Sequence, residues 1–111
     1  METYYNEIRT LSQFLDYCNE PVKIGKYVNG ELVITGERPR TLSQFTDRYK
    51  ISRVVLDSTA LFLVFSLIDK DGKEVRKSFD LYDIGWCYDT YGMMCMEHYP
   101  EGKKKIEYII S

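Results

Sequence analysis

The strongest constraint in this chain is the uncharged run at residues 61–68, Leu-Phe-Leu-Val-Phe-Ser-Leu-Ile, followed at once by Asp69-Lys70-Asp71-Gly72. The run is too short for a membrane helix, which takes roughly 20 residues. It suits a strand buried on both faces, and the turn residues beyond it mark its end. A buried helix across 59–69 is the rival reading. With Asp71-Gly72 as a two-residue turn, 74–82 returns as the partner strand. Ile68 then faces Val75, Val64 faces Phe79 and Phe62 faces Leu81. Ser66 opposite Lys77 interrupts that apolar face. On the other face Leu67 meets Arg76, Phe65 meets Ser78 and Leu63 meets Asp80, so Leu61, Leu63, Phe65 and Leu67 need a helix as cover.

An internal echo supplies two candidate covers. Arg9-Thr-Leu-Ser-Gln-Phe-Leu-Asp16 recurs as Arg40-Thr-Leu-Ser-Gln-Phe-Thr-Asp47 with seven of eight residues identical. Each copy holds Thr-x-x-Gln, a capping box in which the hydroxyl and the amide side chain satisfy each other's backbone donors. Leu11, Phe14, Leu15 and Cys18 fall on one helical face, as do Leu42, Phe45 and Tyr49. The spacing predicts short helices over 11–18 and 42–49. Two copies are too few for a solenoid.

Between the copies, 22–28 and 31–35 flank Asn29-Gly30, which suits the positive φ of a type I′ hairpin turn. Tyr27 then faces Leu32 and Gly25 faces Ile34, with Ile24, Val28 and Val33 on the other side. Neither face is uniformly polar, so this hairpin needs cover on both sides or a bound partner. A further strand is expected over 51–58. Beyond Trp86, Pro100-Glu101-Gly102 marks a turn, and 92–99 with 104–110 reads as a closing hairpin. A helix over 89–98, capped by Asp89, is the alternative. Lys103, Lys104 and Lys105 would guard an exposed sheet edge.

These elements give an α+β fold, an antiparallel sheet of about five to seven short strands with two short capped helices packed on one face. The 111 residues fit a single globular domain, and the 44% hydrophobic content fits a soluble one. A net charge of −2 gives no general attraction to nucleic acid or anionic membrane. The three cysteines, Cys18, Cys87 and Cys95, are odd in number and scattered, so a reducing cytoplasmic setting is expected. Residues 1–7 carry neither a basic region nor an apolar core, and no signal peptide is expected.

Catalytic and cofactor motifs are sparse. His98 is the sole histidine. With Cys95 and Cys87 it offers three zinc ligands where a structural site wants four, and a strand puts Cys95 and His98 on opposite faces. A cysteine–histidine nucleophile would need the same residues together with an orienting group. The segment 69–74 is half the length of a calcium loop. Gly25, Gly30 and Gly36 lack the Lys-Ser/Thr ending of a phosphate loop. No cofactor and no metal are expected.

Charge placement says more. Residues 38–53 carry Arg38, Arg40, Arg48, Lys50 and Arg53 against Asp47 alone, whereas 78–102 carry Asp80, Asp83, Asp89, Glu97 and Glu101 with no Lys or Arg. The acidic third also concentrates aromatic and Met side chains, which favour interface centres when they do not simply complete a core. Ten tyrosines point the same way, although Tyr also suits half-buried strands. The leading expectation is a non-catalytic protein-binding module with two partner-binding regions. One is an aromatic acidic face of Trp86, Tyr88, Asp89, Tyr91, Met94 and Met96. The other is the basic patch of Arg38, Arg40, Arg48, Lys50 and Arg53. Compact domains of this type occur among phage and mobile-element proteins, including inhibitors of host defence such as anti-CRISPRs; this is an analogy of type, carried by no motif. The alternatives are a nucleic-acid-binding accessory protein using the basic patch, and a small enzyme using Cys87, Cys95 or His98.

Overall fold

The computed structural model describes residues 8–88 and 93–111. One α-helix, α1 (Leu11–Asn19), precedes nine strands among these residues. They are β1 (Val22–Val28), β2 (Glu31–Arg38), β3 (Thr41–Gln44), β4 (Asp47–Asp57), β5 (Phe62–Ile68), β6 (Glu74–Asp80), β7 (Ile84–Tyr88), β8 (Met94–His98) and β9 (Ile106–Ile110). A 3₁₀ turn, Leu81–Asp83, joins β6 to β7. β1 and β2 form a sheet of their own; the other seven run β6-β5-β4-β3-β9-β8-β7. All pairings are antiparallel.

The expected pair of helices is therefore corrected to one, in a mostly β structure. The first copy of the echo folds as expected. Thr10 Oγ1 accepts from the Gln13 amide, and Gln13 Oε1 accepts from the Thr10 amide. The second copy is instead β3, a two-residue turn and the start of β4, with Gln44 opposite Asp47. Three differences decide this. Thr41, the cap of the expected helix, is buried and exchanges both backbone hydrogen bonds with Ser111, at 2.7 and 3.0 Å. Leu15 is replaced by Thr46, which removes one residue of the apolar helical face. Beyond Asp47 the sequence is rich in Tyr, Ile and Val, which suit a half-buried strand. Phe14 is wholly buried while its twin Phe45 is 94% exposed.

β5 is the central ribbon, but it is buried on one face only: Leu63, Phe65 and Leu67 are in the core, and Phe62, Val64, Ser66 and Ile68 are not. Its pairing with β6 is shifted by one residue from the expected register, with Leu67 opposite Val75, Ser66 opposite Arg76 and Leu63 opposite Phe79. The cause is the turn. Asp69 N donates to Lys73 O, so the loop is the three residues 70–72, with Gly72 at φ 79° closing it. Asp69 Oδ1 accepts from the amides of Asp71 and Lys73, which fixes that shape. A one-residue slip sends every side chain to the opposite partner set.

The seven strands curl, and the inner face becomes the core. Phe79 on the edge strand β6 meets Phe65 of β5 edge-on at 5.6 Å. It also meets His98 of β8 at 5.0 Å and Tyr108 of β9 at 5.3 Å, far along the strand order. α1 packs against this core. Phe14 stacks on Trp86 at 5.1 Å, and Cys18 is buried. Asn19 satisfies both backbone groups of Val54, accepting from its N–H at 2.9 Å and donating to its carbonyl at 2.8 Å. It does so where β4 runs on past the short β3.

The closing hairpin forms as β8 and β9, with His98 opposite Ile106. β9 lies inside the sheet, between β3 and β8. Lys105 therefore guards no edge; it pairs with Glu97 and Glu107. The helix alternative over 89–98 is excluded for 94–98, which is strand. Its proposed cap, Asp89, lies outside the described residues. No helix of the described residues is long and apolar enough to cross a membrane.

Candidate functional site

The most distinctive surface is the β1–β2 hairpin. Asn29 and Gly30 both take positive φ, 51° and 82°, and the register of Tyr27 with Leu32 and Gly25 with Ile34 follows. A bulge at Ile24/Gly25 lets Thr35 Oγ1 donate to the Ile24 carbonyl at 3.3 Å. Gly25 is required where it stands. A Cβ there would lie 2.9 Å from the Val33 carbonyl oxygen and 3.0 Å from Leu32 Cδ1. The side chains of Leu32 and Ile34 reach over this notch, and the face they form with Tyr27 is uncovered. Tyr27 is 77% exposed and Leu32 58%; Ile24, Val28, Val33 and Ile34 are exposed too. The radius of gyration, 15.5 Å, exceeds the ~13 Å of a compact chain of about this size, and the long axis reaches 54 Å, as an arm standing off a rolled body requires. The sequence of 22–35, uniformly polar on neither side, calls for cover on both faces or a bound partner, and the described residues supply no such cover. That signal marks the hairpin as a candidate site beyond the two regions named from the sequence.

The aromatic acidic face is dispersed. Met94 and Met96 are fully buried core residues, which removes them from any contact surface. Trp86 is half-buried and occupied by its stack on Phe14. Tyr88 is placed by its backbone, opposite Met94 on β7. Asp89 and Tyr91 lie outside the described residues. The methionines complete the core because β8 sits in the curl, which composition alone does not reveal.

The basic patch divides into three. Arg38, Arg48 and Lys50 line one pocket of about 380 Å³ together with Lys70, Asp69, Pro39, Thr41 and Ile68. Arg40 lines a second pocket, which it shares with Arg38, Glu37 and Cys18. Its guanidinium lies 3.7 Å from the Tyr17 ring centre, and its Nε is buried without a hydrogen-bond partner among the described residues. It is thereby tied to α1. Arg53 lines a different pocket with Ser66 and Arg76.

Cys95 and His98 lie three positions apart on β8, so strand alternation sends them to opposite faces. Cys87 and Cys95 are paired in backbone register across β7 and β8. No cluster of three metal-ligating side chains occurs among the described residues. Cys18 has the character of a structural thiol: burial pushes it up to about 12, against a smaller downward pull from Arg40. Thiolate is the reactive form, so Cys18 is inert in the folded protein. Iodoacetamide at pH 8 is expected to leave Cys18 unmodified in native protein and to alkylate it promptly in denaturant, as read by peptide mass spectrometry. The folded state also holds this proton more tightly than the unfolded chain. The thiol's contribution to stability is therefore constant below its unfolded pKa of about 8.5 and is lost as pH rises from there towards about 12. Burial raises Tyr17 and Tyr108 as well, which adds to the alkaline loss.

Comparison of the chain with known protein families, curated proteins and solved structures finds no match in any of the three.

Proposed function

We propose that this protein is a non-catalytic binding module that engages a protein partner through the β1–β2 arm. The observation that carries this reading is the arm's apolar surface, exposed around Tyr27, Leu32, Val33 and Ile34. A two-stranded ribbon is marginal in water by itself, and exposed strand edges invite association. Lys23, Lys26, Glu31 and Glu37 along the ribbon keep it soluble and leave the apolar residues for a specific contact. A partner offering an apolar groove or a free strand edge fits both features. An inhibitor of a host protein that acts by occupying a surface needs no more than this.

The test compares wild type with Tyr27→Ser/Leu32→Ser as immobilised baits in lysate of the native host. Tyr at the centre of an interface is a frequent hot spot, at 2 kcal/mol or more, roughly thirtyfold in affinity. The partner held by wild type is expected to be lost by the double variant while thermal unfolding stays within a few degrees. Equal retention by both baits would contradict the reading.

A further inference from the structure

Ser66 interrupts an otherwise apolar ribbon, and the register supplies a reason. It is opposite Arg53 on one side and Arg76 on the other. The three residues form one row across β4, β5 and β6 on the outer face of the sheet, and they line one pocket of about 450 Å³ with Ser52, Leu67, Glu74 and Val75. Strand spacing of about 4.8 Å places the two arginines on either side of a short hydroxyl side chain. Neither arginine is in an ion pair with a carboxylate among the described residues, although Glu74 stands in the pocket wall.

A bulge makes this row. The β4–β5 register shifts between Ile51 and Arg53, so Ser52 is the extra residue. In a regular strand Arg53, three positions after Lys50, would point inward; the bulge at Ser52 returns it to the face of Lys50. With the bulge, Ile51 and Val54 are both buried while Arg48, Lys50 and Arg53 are all exposed. Cations at alternate strand positions recur about every 7 Å. The outer face of β4, β5 and β6 thus carries Arg48, Lys50, Arg53, Arg76 and, in the turn, Lys70, against Glu74 at one end and Asp57 and Asp80 on either side of Phe62 at the other. Asp69, beside Lys70, has its Oδ1 committed to the turn amides.

We infer that this outer face binds the phosphodiester backbone of a nucleic acid, with Arg53, Ser66 and Arg76 clamping one phosphate and Arg48 and Lys50 following the chain. Guanidinium forks and a hydroxyl donor suit the non-bridging oxygens of a phosphate. A nucleic-acid strand presents a charge at every unit, whereas an extended peptide matches this ladder only where every second residue is acidic. No aromatic side chain interleaves these cations, so contact is to the backbone: insensitive to base sequence and strongly salt-dependent. The site shares no residue with the apolar surface of the arm and does not rest on the arm's role.

The experiment is fluorescence anisotropy of labelled mixed-sequence 20-mers, single-stranded and duplex, titrated with the full chain across a salt series. Wild type is expected to bind in 50 mM salt with log affinity falling linearly in log salt. Arg53→Glu/Arg76→Glu should bind at least tenfold more weakly, with the salt slope reduced by between about 1 and 2. Both substitutions are at exposed positions, and circular dichroism checks the fold. Tyr27→Ser/Leu32→Ser should bind as wild type does, which separates this site from the arm. The inference is overturned if wild type shows no binding in 50 mM salt, or if the double charge reversal binds unchanged. It is likewise overturned if poly-glutamate competes as well as unlabelled oligonucleotide, which would assign the face to an acidic polypeptide. Displacement of the oligonucleotide by inorganic phosphate at equal phosphate concentration would reduce the face to a single-anion site and also overturn it.

Discussion

Phe14→Ala is expected to destabilise the protein by about 3–5 kcal/mol, and Phe45→Ala by less than about 0.5 kcal/mol. The two residues occupy the same position of the same octapeptide. Phe14 is buried on α1, and its ring is stacked on Trp86. Its truncation removes apolar burial, the stacking contact and the anchor of the helix in the curl together. Phe45 stands almost wholly in solvent at φ 53°. Glycine adopts positive φ without the penalty other residues face, about 1–2 kcal/mol, so Phe45→Gly should be neutral or slightly stabilising. Urea unfolding of the three variants reads all of these values. Equal losses at positions 14 and 45 would mean that both copies of the echo pack against the core, contrary to the hairpin assigned to the second.

Phe79→Ala should cost a similar amount, about 3–5 kcal/mol, for a different reason. Phe79 is the edge-strand residue that touches both sides of the roll, meeting Phe65 on one and His98 and Tyr108 on the other. Its loss leaves a cavity between strands far apart in the sheet order. Phe79→Leu keeps much of the volume and should lose less than half as much. Phe62→Ala, on the outer face of the neighbouring strand, should cost no more than about 1 kcal/mol. A small effect at Phe79 alongside a large one at Phe62 would place the core on the other face of β5.

How much of this is legible in the sequence depends on which features have a local cause. The Asn29-Gly30 turn and the register beside it are readable, because two residues tolerant of positive φ fix loop length and pairing, whereas the bulge at Ile24/Gly25 and the run of β2 on to Arg38 are not. Nor is the 69–73 turn. Asp71-Gly72 has the same appearance whether it forms a two-residue loop or ends a three-residue one, and the Asp69 side chain selects the latter. The echo shows a stronger limit. Residues 40–47 keep the capping box of a helix start, and the pairing of Thr41 with Ser111, the Thr46 gap in the apolar face and the strand-favouring residues that follow override it. The candidate surfaces follow the same division. The arm's apolar faces can be seen in the alternation of 22–35. Arg76 cannot be joined to Arg53 from sequence, because that juxtaposition needs both the β5–β6 register and the bulge at Ser52. Likewise, the burial of Met94 and Met96 follows from the curl of the sheet, and nothing in a run of Met and aromatic residues distinguishes core from interface.

The arm standing clear of the rolled core is the feature on which the binding proposal depends, and native-state hydrogen exchange, read residue by residue, measures it directly. Amides of β4 and β5 around Val54 and Phe65 are expected to exchange only through global unfolding and to be accelerated by Phe14→Ala. Amides of β1 and β2 should exchange through local opening, orders of magnitude faster, at rates that Phe14→Ala leaves unchanged. Protection of the arm equal to that of Phe65, falling in step with it in the Phe14→Ala protein, would show instead that the hairpin is packed into the core.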